Sequence, residues 1–176
     1  EGINNSIVLM GCKHCGKSTQ GKLLAEKLGV NFFDTDEEIS RIRGVNFRVL
    51  YKTKGVAEFT LAEEEACRTV MKDNAEQRIV IATGGGICDN PPALQALRDC
   101  GTFVFLRLDI KHSVSRIMEK IEETGNGSFT NVPAYVLNEN PTSLKQIEEI
   151  LIKKFQARYQ QYQAIADFIV DIKNAP

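Results

Sequence analysis

A glycine-framed loop near the amino end constrains the fold of this chain more than any other feature of its sequence. The loop, here called the phosphate loop, reads Gly11-Cys12-Lys13-His14-Cys15-Gly16-Lys17-Ser18-Thr19, which is the pattern Gly-x-x-x-x-Gly-Lys-Ser. The apolar run at 7–10 before it predicts a buried strand, and the pattern after it predicts a helix closed by Gly29. Strand, loop and helix in this order identify a phosphate-binding site.

The phosphate loop predicts both a ligand and a metal ion. Its glycines let successive backbone N–H groups point inward, and the positive end of the following helix strengthens the attraction for an anion. Lys17 can reach the outer phosphates of a nucleotide, and the Ser18 hydroxyl can hold a magnesium ion that the same phosphates bind. We therefore expect ATP and Mg²⁺ as cofactors, with the whole loop from Gly11 to Thr19 in contact with the nucleotide.

Composition narrows the class of protein. The chain has 176 residues, 43% of them apolar, which is enough for one well-buried domain over 1–176. Its 22 basic and 23 acidic residues create no large positive field, so we expect a small-molecule substrate and no nucleic acid. No apolar stretch approaches the roughly 20 residues that span a bilayer, and residues 1–5 lack a signal-peptide pattern. We expect a cytoplasmic monomer without a membrane partner.

The cysteines predict reduced thiols. Their number is odd, and they lie mostly in predicted elements, so we expect no structural disulfide. Cys12 and Cys15 form a Cys-x-x-Cys pair, a spacing also found in zinc and redox sites, but no second pair of suitable spacing follows. The phosphate loop explains both residues better, and redox inhibition remains a weaker hypothesis. The full set is Cys12, Cys15, Cys67, Cys88 and Cys100.

Short apolar runs alternate with longer helical patterns along the rest of the chain. The runs predict strands over 31–33, 79–82, 102–108 and 168–172. Helices are predicted around 59–70, after the cap Asn90-Pro91, and over 110–121 behind the cap Asp109. A last helix carries the apolar stripe Leu144, Ile147, Leu151, Phe155 and Tyr162. This alternation predicts an α/β fold with a parallel sheet, helices on both faces and ligands at the carboxyl ends of the strands.

Two further loops follow predicted strands and should open at the same edge as the phosphate loop. Asp34 directly follows the second strand and is predicted to hold magnesium through a water. Asp36 can orient a substrate hydroxyl and take its proton, which makes it a catalytic candidate with Lys17; helix capping is the alternative. The triplet Gly84, Gly85 and Gly86 predicts backbone that a ligand approaches closely, with an ordinary turn as the alternative.

Residues 124–142 are rich in turn formers and poor in helical pattern. They predict either a mobile lid, which would keep water away from a phosphoryl transfer, or a surface loop.

These residues resemble the shikimate kinases, small P-loop enzymes of the nucleoside-monophosphate-kinase type. The resemblance covers nearly the whole chain and is strongest over 7–39, where the phosphate loop and the segment 33–36 have the family's order and spacing. Further matches are Gly55, Phe59, Glu63, the segment 83–86, Arg158 four residues before Tyr162, and the ending 166–171.

The resemblance implies a five-stranded parallel sheet in the order 2-3-1-4-5, substrate-binding helices over about 35–75 and a lid over about 124–142. It also implies that the γ-phosphoryl group of ATP moves to the 3-hydroxyl of shikimate. By the same resemblance, shikimate would be held by Asp36, Gly84, Gly85, Gly86 and Arg158.

The chain departs from the family where charge matters. Thr60 stands at the place of a substrate-binding arginine, Val56 replaces an acid, and Val132 stands at the place of the lid arginine. His14 occupies a position that is usually glycine. A basic residue between the second strand and the altered helix could replace the missing cation, although a solvated basic face explains this group better. The group comprises Arg41, Arg43, Arg48, Lys52 and Lys54.

Three functions therefore stay open. The first is shikimate kinase, and the second is a kinase of another small hydroxylated metabolite, which the missing arginine at position 60 motivates. The third is a nucleotide-binding relative with weak or no catalysis, motivated by the missing lid arginine. A GTPase is disfavoured because no Asn-Lys-x-Asp segment is present.

Overall fold

The central sheet is parallel and has the strand order that the resemblance implies. The computed structural model describes residues 5–99 and 101–173. Its strands are β1 Ser6–Met10, β2 Asn31–Asp34, β3 Ile79–Ala82, β4 Gly101–Leu108, β5 Glu122–Thr124, β6 Ser128–Thr130 and β7 Phe168–Ile172. Five of them form a parallel sheet in the order β2-β3-β1-β4-β7, while β5 and β6 form a separate antiparallel pair. Counted along the chain, the sheet order is 2-3-1-4-5, which confirms the predicted fold class.

Helices connect the strands as the sequence pattern predicts. They are α1 Lys17–Leu28, α2 Thr35–Arg43, α3 Phe47–Asp73, α4 Pro91–Arg98, α5 Ile110–Met118, α6 Ala134–Leu137 and α7 Leu144–Ile165, with a 3₁₀ helix at Ile87–Asp89. Gly55 interrupts α3 with a non-helical conformation (φ 85°, ψ −179°), so α3 consists of two helical stretches. The stretch before Gly55 lies within the helices that the resemblance implies over about 35–75, but the apolar pattern did not predict it, because its apolar side chains do not repeat at a regular helical spacing.

Helix ends follow their capping residues. Gly29 ends α1 in the left-handed conformation, and the Asn90 and Asp109 side chains accept hydrogen bonds from the first turns of α4 and α5, as predicted. The helix predicted over 110–121 ends earlier, at Met118. The chain there tightens into i→i−3 bonds, including Ile121 N to Met118 O at 3.1 Å. Ile121 fits the apolar repeat of the predicted helix because its side chain is buried, although the residue lies beyond the end of α5.

The core lies on both faces of the sheet. Side chains of β1, β3 and β4 pack against α3, α4, α5 and α7 on one face and against α1 on the other. The predicted stripe of α7 is buried at Ile147, Leu151, Phe155 and Tyr162 but not at Leu144, which begins the helix and is 37% exposed. The edge strand β7 is the least covered, with Phe168 62% exposed. No helix in the described part of the chain is long and apolar enough to cross a membrane.

The segment proposed as a lid has structure of its own. The turn formers at 125–127 connect β5 to β6, and α6 follows. Val136 of α6 is fully buried in the main core cluster, which anchors the carboxyl half of this segment. The strands were not predicted because three-residue strands are too short to display an alternating pattern.

Candidate functional site

The phosphate loop, the start of α2 and the glycine triplet open into one cleft. Its volume is about 790 Å³. One side, the phosphate wall, consists of Lys13, His14, Gly16, Lys17, Ser18, Thr19 and Arg116. The opposite side, the helical wall, consists of Asp36, Glu37, Phe47, Arg48, Tyr51, Phe59 and Glu63 from α2 and α3. Asp34 and the segment 83–86 also line the cleft.

The phosphate wall is built from backbone. Gly16 takes the left-handed conformation (φ 90°) and begins α1 without a side-chain cap, so the first N–H groups of the helix face the loop. Lys17 Nζ lies inside the loop and donates to the carbonyl oxygens of Gly11 at 2.6 Å and Cys12 at 3.0 Å. This arrangement combines a cation with converging N–H groups, which suits a polyphosphate.

A tyrosine of α7 fastens two of the three loops to each other. The Tyr162 hydroxyl is fully buried and lies within hydrogen-bonding distance of the carbonyl oxygens of Gly11, at 3.2 Å, and of Gly85. Thr83 donates its hydroxyl to Leu9 O at 3.0 Å. The relative position of the phosphate loop and the glycine triplet is therefore set by the core beneath them. Sequence reasoning assigned Tyr162 to the apolar stripe of α7 and to the family match with Arg158, but did not predict these hydrogen bonds.

The backbone conformation of His14 explains how this position, which is usually glycine in the family, can hold a histidine. It has φ 66°, a left-handed conformation that favours glycine but that histidine adopts more readily than most residues. Its carbonyl oxygen accepts a hydrogen bond from Arg116 Nη1 at 3.1 Å. Burial, followed by the charges of Lys120 and Lys13, lowers the pKa of His14, so the imidazole is neutral at physiological pH.

Asp34 joins the phosphate wall to α2. Its Oδ2 accepts a hydrogen bond from Ser18 Oγ at 2.8 Å, and its Oδ1 accepts from the backbone N–H groups of Asp36 at 2.9 Å and Glu37 at 3.3 Å. Asp34 is therefore the residue that caps α2, and the capping alternative for Asp36 is wrong. Ser18 Oγ and Asp34 Oδ2 present oxygen ligands of the type that Mg²⁺ prefers. Among the described residues no group of three or more His, Cys, Asp or Glu side chains could hold a metal ion.

Asp36 is free to face the cleft. Burial raises the pKa of its carboxyl to about 6, and the charge of Asp34 adds to the rise, while Lys17, Arg48 and Lys13 oppose it. A carboxyl with this pKa is mostly ionised at neutral pH and can still accept a proton. A Cβ atom on Gly84 would lie 3.0 Å from Asp36 Oδ1, so the absence of a side chain at position 84 leaves room for this carboxyl.

The other two glycines of the triplet differ from Gly84. A Cβ on Gly85 would make only ordinary contacts, at 3.8 Å and beyond, and one on Gly86 would meet nothing within 4 Å. Of the three glycines, only Gly84 is closely approached by a neighbouring side chain, that of Asp36. The turn interpretation suits Gly86, which stands at the start of the short 3₁₀ helix. Ligand contacts of all three glycines stay a prediction.

Glu63 is a site residue that sequence reasoning quoted only as a family match. It is 3% exposed, and its Oε1 accepts a hydrogen bond from Asn90 Nδ2 at 2.9 Å. Its Oε2 is buried and has no hydrogen-bond partner among the described residues. Burial raises the pKa of Glu63 to about 7; the Asn90 hydrogen bond opposes the rise, and the charge of Asp36 adds to it. A glutamate at a helical spacing from apolar residues was the signal that could have identified it.

The Thr60 side chain does not donate a hydrogen bond to the Glu63 carboxylate. Thr60 Oγ1 donates back along the helix to Val56 O at 2.8 Å, a bond internal to α3. Arg158, which the resemblance implies as a substrate-binding residue, pairs with Asp89 Oδ2 at 2.9 Å and donates to Gln161 Oε1 at 3.1 Å. Arg158 is not among the residues that line the cleft, so its contact with a substrate stays a prediction.

The basic residues between 41 and 54 do not form one uniform face. Arg41 pairs with Glu38 at 2.9 Å, Arg43 pairs with Glu65 at 2.5 Å, and Lys52 and Lys54 are exposed outside the cleft. Arg48 differs because it lines the cleft. The expectation of a solvated basic face fits the exposed Arg41, Lys52 and Lys54, whereas Arg43 is half-buried and Arg48, although exposed, lines the cleft.

The cysteines of the phosphate loop are poorly suited to redox chemistry. Cys12 is 6% exposed and Cys15 1% exposed, and burial raises the pKa of Cys12 to about 12. Little thiolate forms at neutral pH, and the thiolate is the reactive species. Cys12, Cys15, Cys67 and Cys88 are free thiols, and Cys100 lies outside the described residues.

Three features together define a P-loop phosphotransferase that acts on a small molecule. They are the sheet order, the phosphate loop and the pair of acids Asp34 and Asp36 at the junction of β2 and α2. The sequence matches the shikimate kinase family over residues 13–176. The chain belongs to the shikimate kinase family.

Curated relatives agree with this assignment, and a solved structure shares the fold. A shikimate kinase of Thermodesulfovibrio yellowstonii is 33% identical over 166 residues, which cover 94% of this chain and 84% of the relative. One of Nitrosomonas europaea is 41% identical over 104 residues, which cover 59% of this chain and 48% of the relative's length. The structure of a shikimate kinase from Acinetobacter baumannii in complex with shikimate has the same fold, with a TM-score of 0.73, 24% identity and coverage of 98% of this chain and 86% of that one.

Proposed function

We propose that this protein is a shikimate kinase, which transfers the γ-phosphoryl group of ATP to the 3-hydroxyl of shikimate in aromatic amino acid biosynthesis. The observation that carries the proposal is the position of Asp36, a half-buried carboxyl with a pKa of about 6 that faces the same cleft as Lys17. A nucleotide on the phosphate wall and an acceptor on the helical wall would meet between these two side chains. Membership of the shikimate kinase family supports this acceptor.

On the phosphate wall, the residues Gly11 to Thr19 hold the polyphosphate. The inward N–H groups of the loop and the start of α1 bind the phosphate oxygens, and Lys17 stabilises the charge that develops on the transferring group. Ser18 and Asp34 would hold Mg²⁺, since both present oxygen atoms at one point of the cleft, 2.8 Å apart. When bound, the ion neutralises charge on the β- and γ-phosphates.

On the helical wall, Asp36 orients the acceptor hydroxyl and takes its proton. Burial keeps the carboxyl basic enough for this task, and Gly84 leaves it unobstructed. Contacts of Gly84, Gly85, Gly86 and Arg158 with the acceptor belong to the same proposal. The segment 124–142 would act as the lid over the cleft, and we propose that the enzyme acts as a cytoplasmic monomer.

An acceptor screen tests the proposal. Release of ADP from ATP and Mg²⁺ is measured with shikimate and with other hydroxy acids and polyols, including quinate and gluconate. The expected result is a higher kcat/KM with shikimate than with any other acceptor. A higher value for another acceptor, or ADP release independent of the acceptor, would overturn the assignment of shikimate.

A kinase of another hydroxylated metabolite is the second candidate, and one observation favours it. The helical wall has no cation at position 60, where the Thr60 hydroxyl donates to Val56 O within its own helix. The same acceptor screen distinguishes the two candidates, because the second requires an acceptor that outcompetes shikimate.

A further inference from the structure

One cation on the helical wall has no carboxylate partner among the described residues. Arg48 lies in the first turn of α3, and its guanidinium carbon lies 5.2 Å from the ring centre of the neighbouring Phe47. Within residues 5–99 and 101–173, no ion pair involves Arg48, whereas the nearby Arg41 and Arg43 both pair with glutamates. The positive charge of Arg48 is therefore available to a ligand in the cleft.

The other charged residues of the helical wall repel an anionic acceptor. Asp36, Glu37 and Glu63 are acids, and Arg48 is the one basic residue among those that line this wall. Thr60 carries no charge, and Arg158, which pairs with Asp89, is not among the residues that line the cleft, so Arg48 is the cation that this wall presents directly. A carboxylate bound on this wall needs a cation to offset its desolvation.

Arg48 is also close enough to the reacting groups to act on them. Its charge opposes the rise in the pKa of Asp36 and contributes to the lowered pKa of Lys13 on the phosphate wall. A ligand that places its hydroxyl at Asp36 would therefore have its other polar groups within the field of Arg48. Because Arg48 is exposed and flexible, it can adjust its guanidinium to a planar carboxylate.

We propose that Arg48 binds the carboxylate of the acceptor and so takes over the task that position 60 cannot perform in this chain. The inference rests on the proposed function and deepens it: Asp36 holds the acceptor at its hydroxyl and Arg48 holds it at its carboxylate. Selection of a hydroxy acid over a neutral polyol then depends on Arg48.

The test removes this charge and compares it with a matched charge nearby. Arg48→Met deletes the guanidinium, and Lys52→Met deletes a charge one turn further along α3, outside the cleft. Neither side chain is buried or ion-paired in the described part of the chain, so both variants should fold. We expect Arg48→Met to raise the KM for shikimate about ten- to a hundredfold, because the acceptor loses one charge-assisted hydrogen bond or a pair of them. The kcat and the KM for ATP should stay within about twofold of the wild-type values. Lys52→Met should change none of the three.

A neutral acceptor identifies the group that Arg48 binds. With shikimate methyl ester, which lacks the negative charge, the wild type and Arg48→Met should differ in KM by less than about twofold. A KM for shikimate that Arg48→Met leaves unchanged overturns the inference. A rise in the KM for ATP instead also overturns it, because the cation then serves the nucleotide phosphate. A wild type that does not phosphorylate shikimate at all overturns the proposed function, which separates the two failures.

Discussion

The two walls of the cleft are held together in different ways. The phosphate wall is mostly one continuous stretch of chain whose backbone does the binding; Lys17 bonds across the loop itself, and Tyr162 fastens the loop to the core beneath it. The helical wall is assembled from side chains on α2 and on both halves of α3, which is interrupted at Gly55. Within the part of the chain that the structure describes, it contains a Glu63 carboxylate oxygen without a hydrogen-bond partner and, at Arg48, a cation without an ion pair. The difference teaches that phosphate chemistry resides in a contiguous motif, whereas acceptor choice resides in separate side chains that can change one at a time.

Lys17→Met breaks the phosphate wall and should have the largest effect. We expect kcat to fall about a hundred- to a thousandfold, because the variant loses the charge that stabilises the transferring phosphoryl group. Steady-state rates of ADP formation measure the effect. Lys22→Met, which removes an exposed charge from the same helix outside the cleft, is the control and should retain full activity. A fully active Lys17→Met would falsify the role of the phosphate wall.

Asp36→Asn tests the first residue of the helical wall. We expect kcat to fall about a hundredfold, because the amide cannot take the proton of the hydroxyl, while ATP affinity measured by calorimetry stays within about twofold. The carboxyl must be ionised to act, and its pKa is about 6, so kcat/KM of the wild type should decline as the pH falls below 6. This acidic decline should be absent in Asp36→Asn. The same decline in both proteins would assign it to another group.

Glu63 makes the helical wall sensitive to pH. Its pKa in the folded protein is about 7, and unfolding would return it to about 4.3, so the protonated form stabilises the fold and this stability is lost as the pH rises from 4.3 through 7. Between pH 5 and pH 8 we expect the free energy of unfolding of the wild type to fall about 2 kcal/mol more than that of Glu63→Gln. Urea unfolding at the two pH values provides the measurement.

A cation placed beside Glu63 sharpens the same comparison. Thr60→Arg puts a guanidinium three residues before Glu63 on the same helix face, where it can pair with the carboxylate. The pH-dependent loss of stability should then become smaller than in the wild type. An identical loss in wild type, Glu63→Gln and Thr60→Arg would show that Glu63 does not titrate in this range.

The glycine triplet allows a smaller, matched test. Gly84→Ala places a Cβ 3.0 Å from Asp36 Oδ1 and 3.4 Å from Glu63 Oε2, which forces the Asp36 carboxyl to shift. We expect kcat/KM for the acceptor to fall about tenfold while the KM for ATP is unchanged, because small misplacement of a reacting group is costly. Gly86→Ala, whose Cβ would meet no protein atom within 4 Å, is the comparison and should have a clearly smaller effect. Equal effects of the two substitutions would contradict the geometry.

Much of the fold follows from local signals in the sequence. Buried strands such as Ile79–Ala82 read as unbroken apolar runs, and Asn90 and Asp109 mark helix starts because their side chains are the natural caps. The phosphate loop was recognisable because its chemistry needs glycines and a lysine at fixed spacing. The ion pair of Glu64 and Arg68, 2.9 Å apart, follows from their i, i+4 spacing.

The helical wall was harder to predict, because its members meet only in three dimensions. Whether Arg48 faces the cleft or solvent depends on the break at Gly55 and on how α2 packs against α3, which no local pattern encodes. The missing partner of Glu63 is likewise a property of packing. The sequence placed Asp34 and Asp36 at the carboxyl end of the second strand, which ends one residue later than predicted, at Asp34, but it assigned the capping alternative to the wrong acid.

The central claim is that one cleft brings the phosphoryl group of ATP to a hydroxyl of shikimate, and phosphorus NMR of the reaction tests it most directly. With the wild-type protein, ATP, Mg²⁺ and shikimate, the account predicts one new phosphomonoester signal that grows in step with ADP and couples to the proton at carbon 3 of the ring. Inorganic phosphate in place of that signal, or no conversion of ATP, would contradict it.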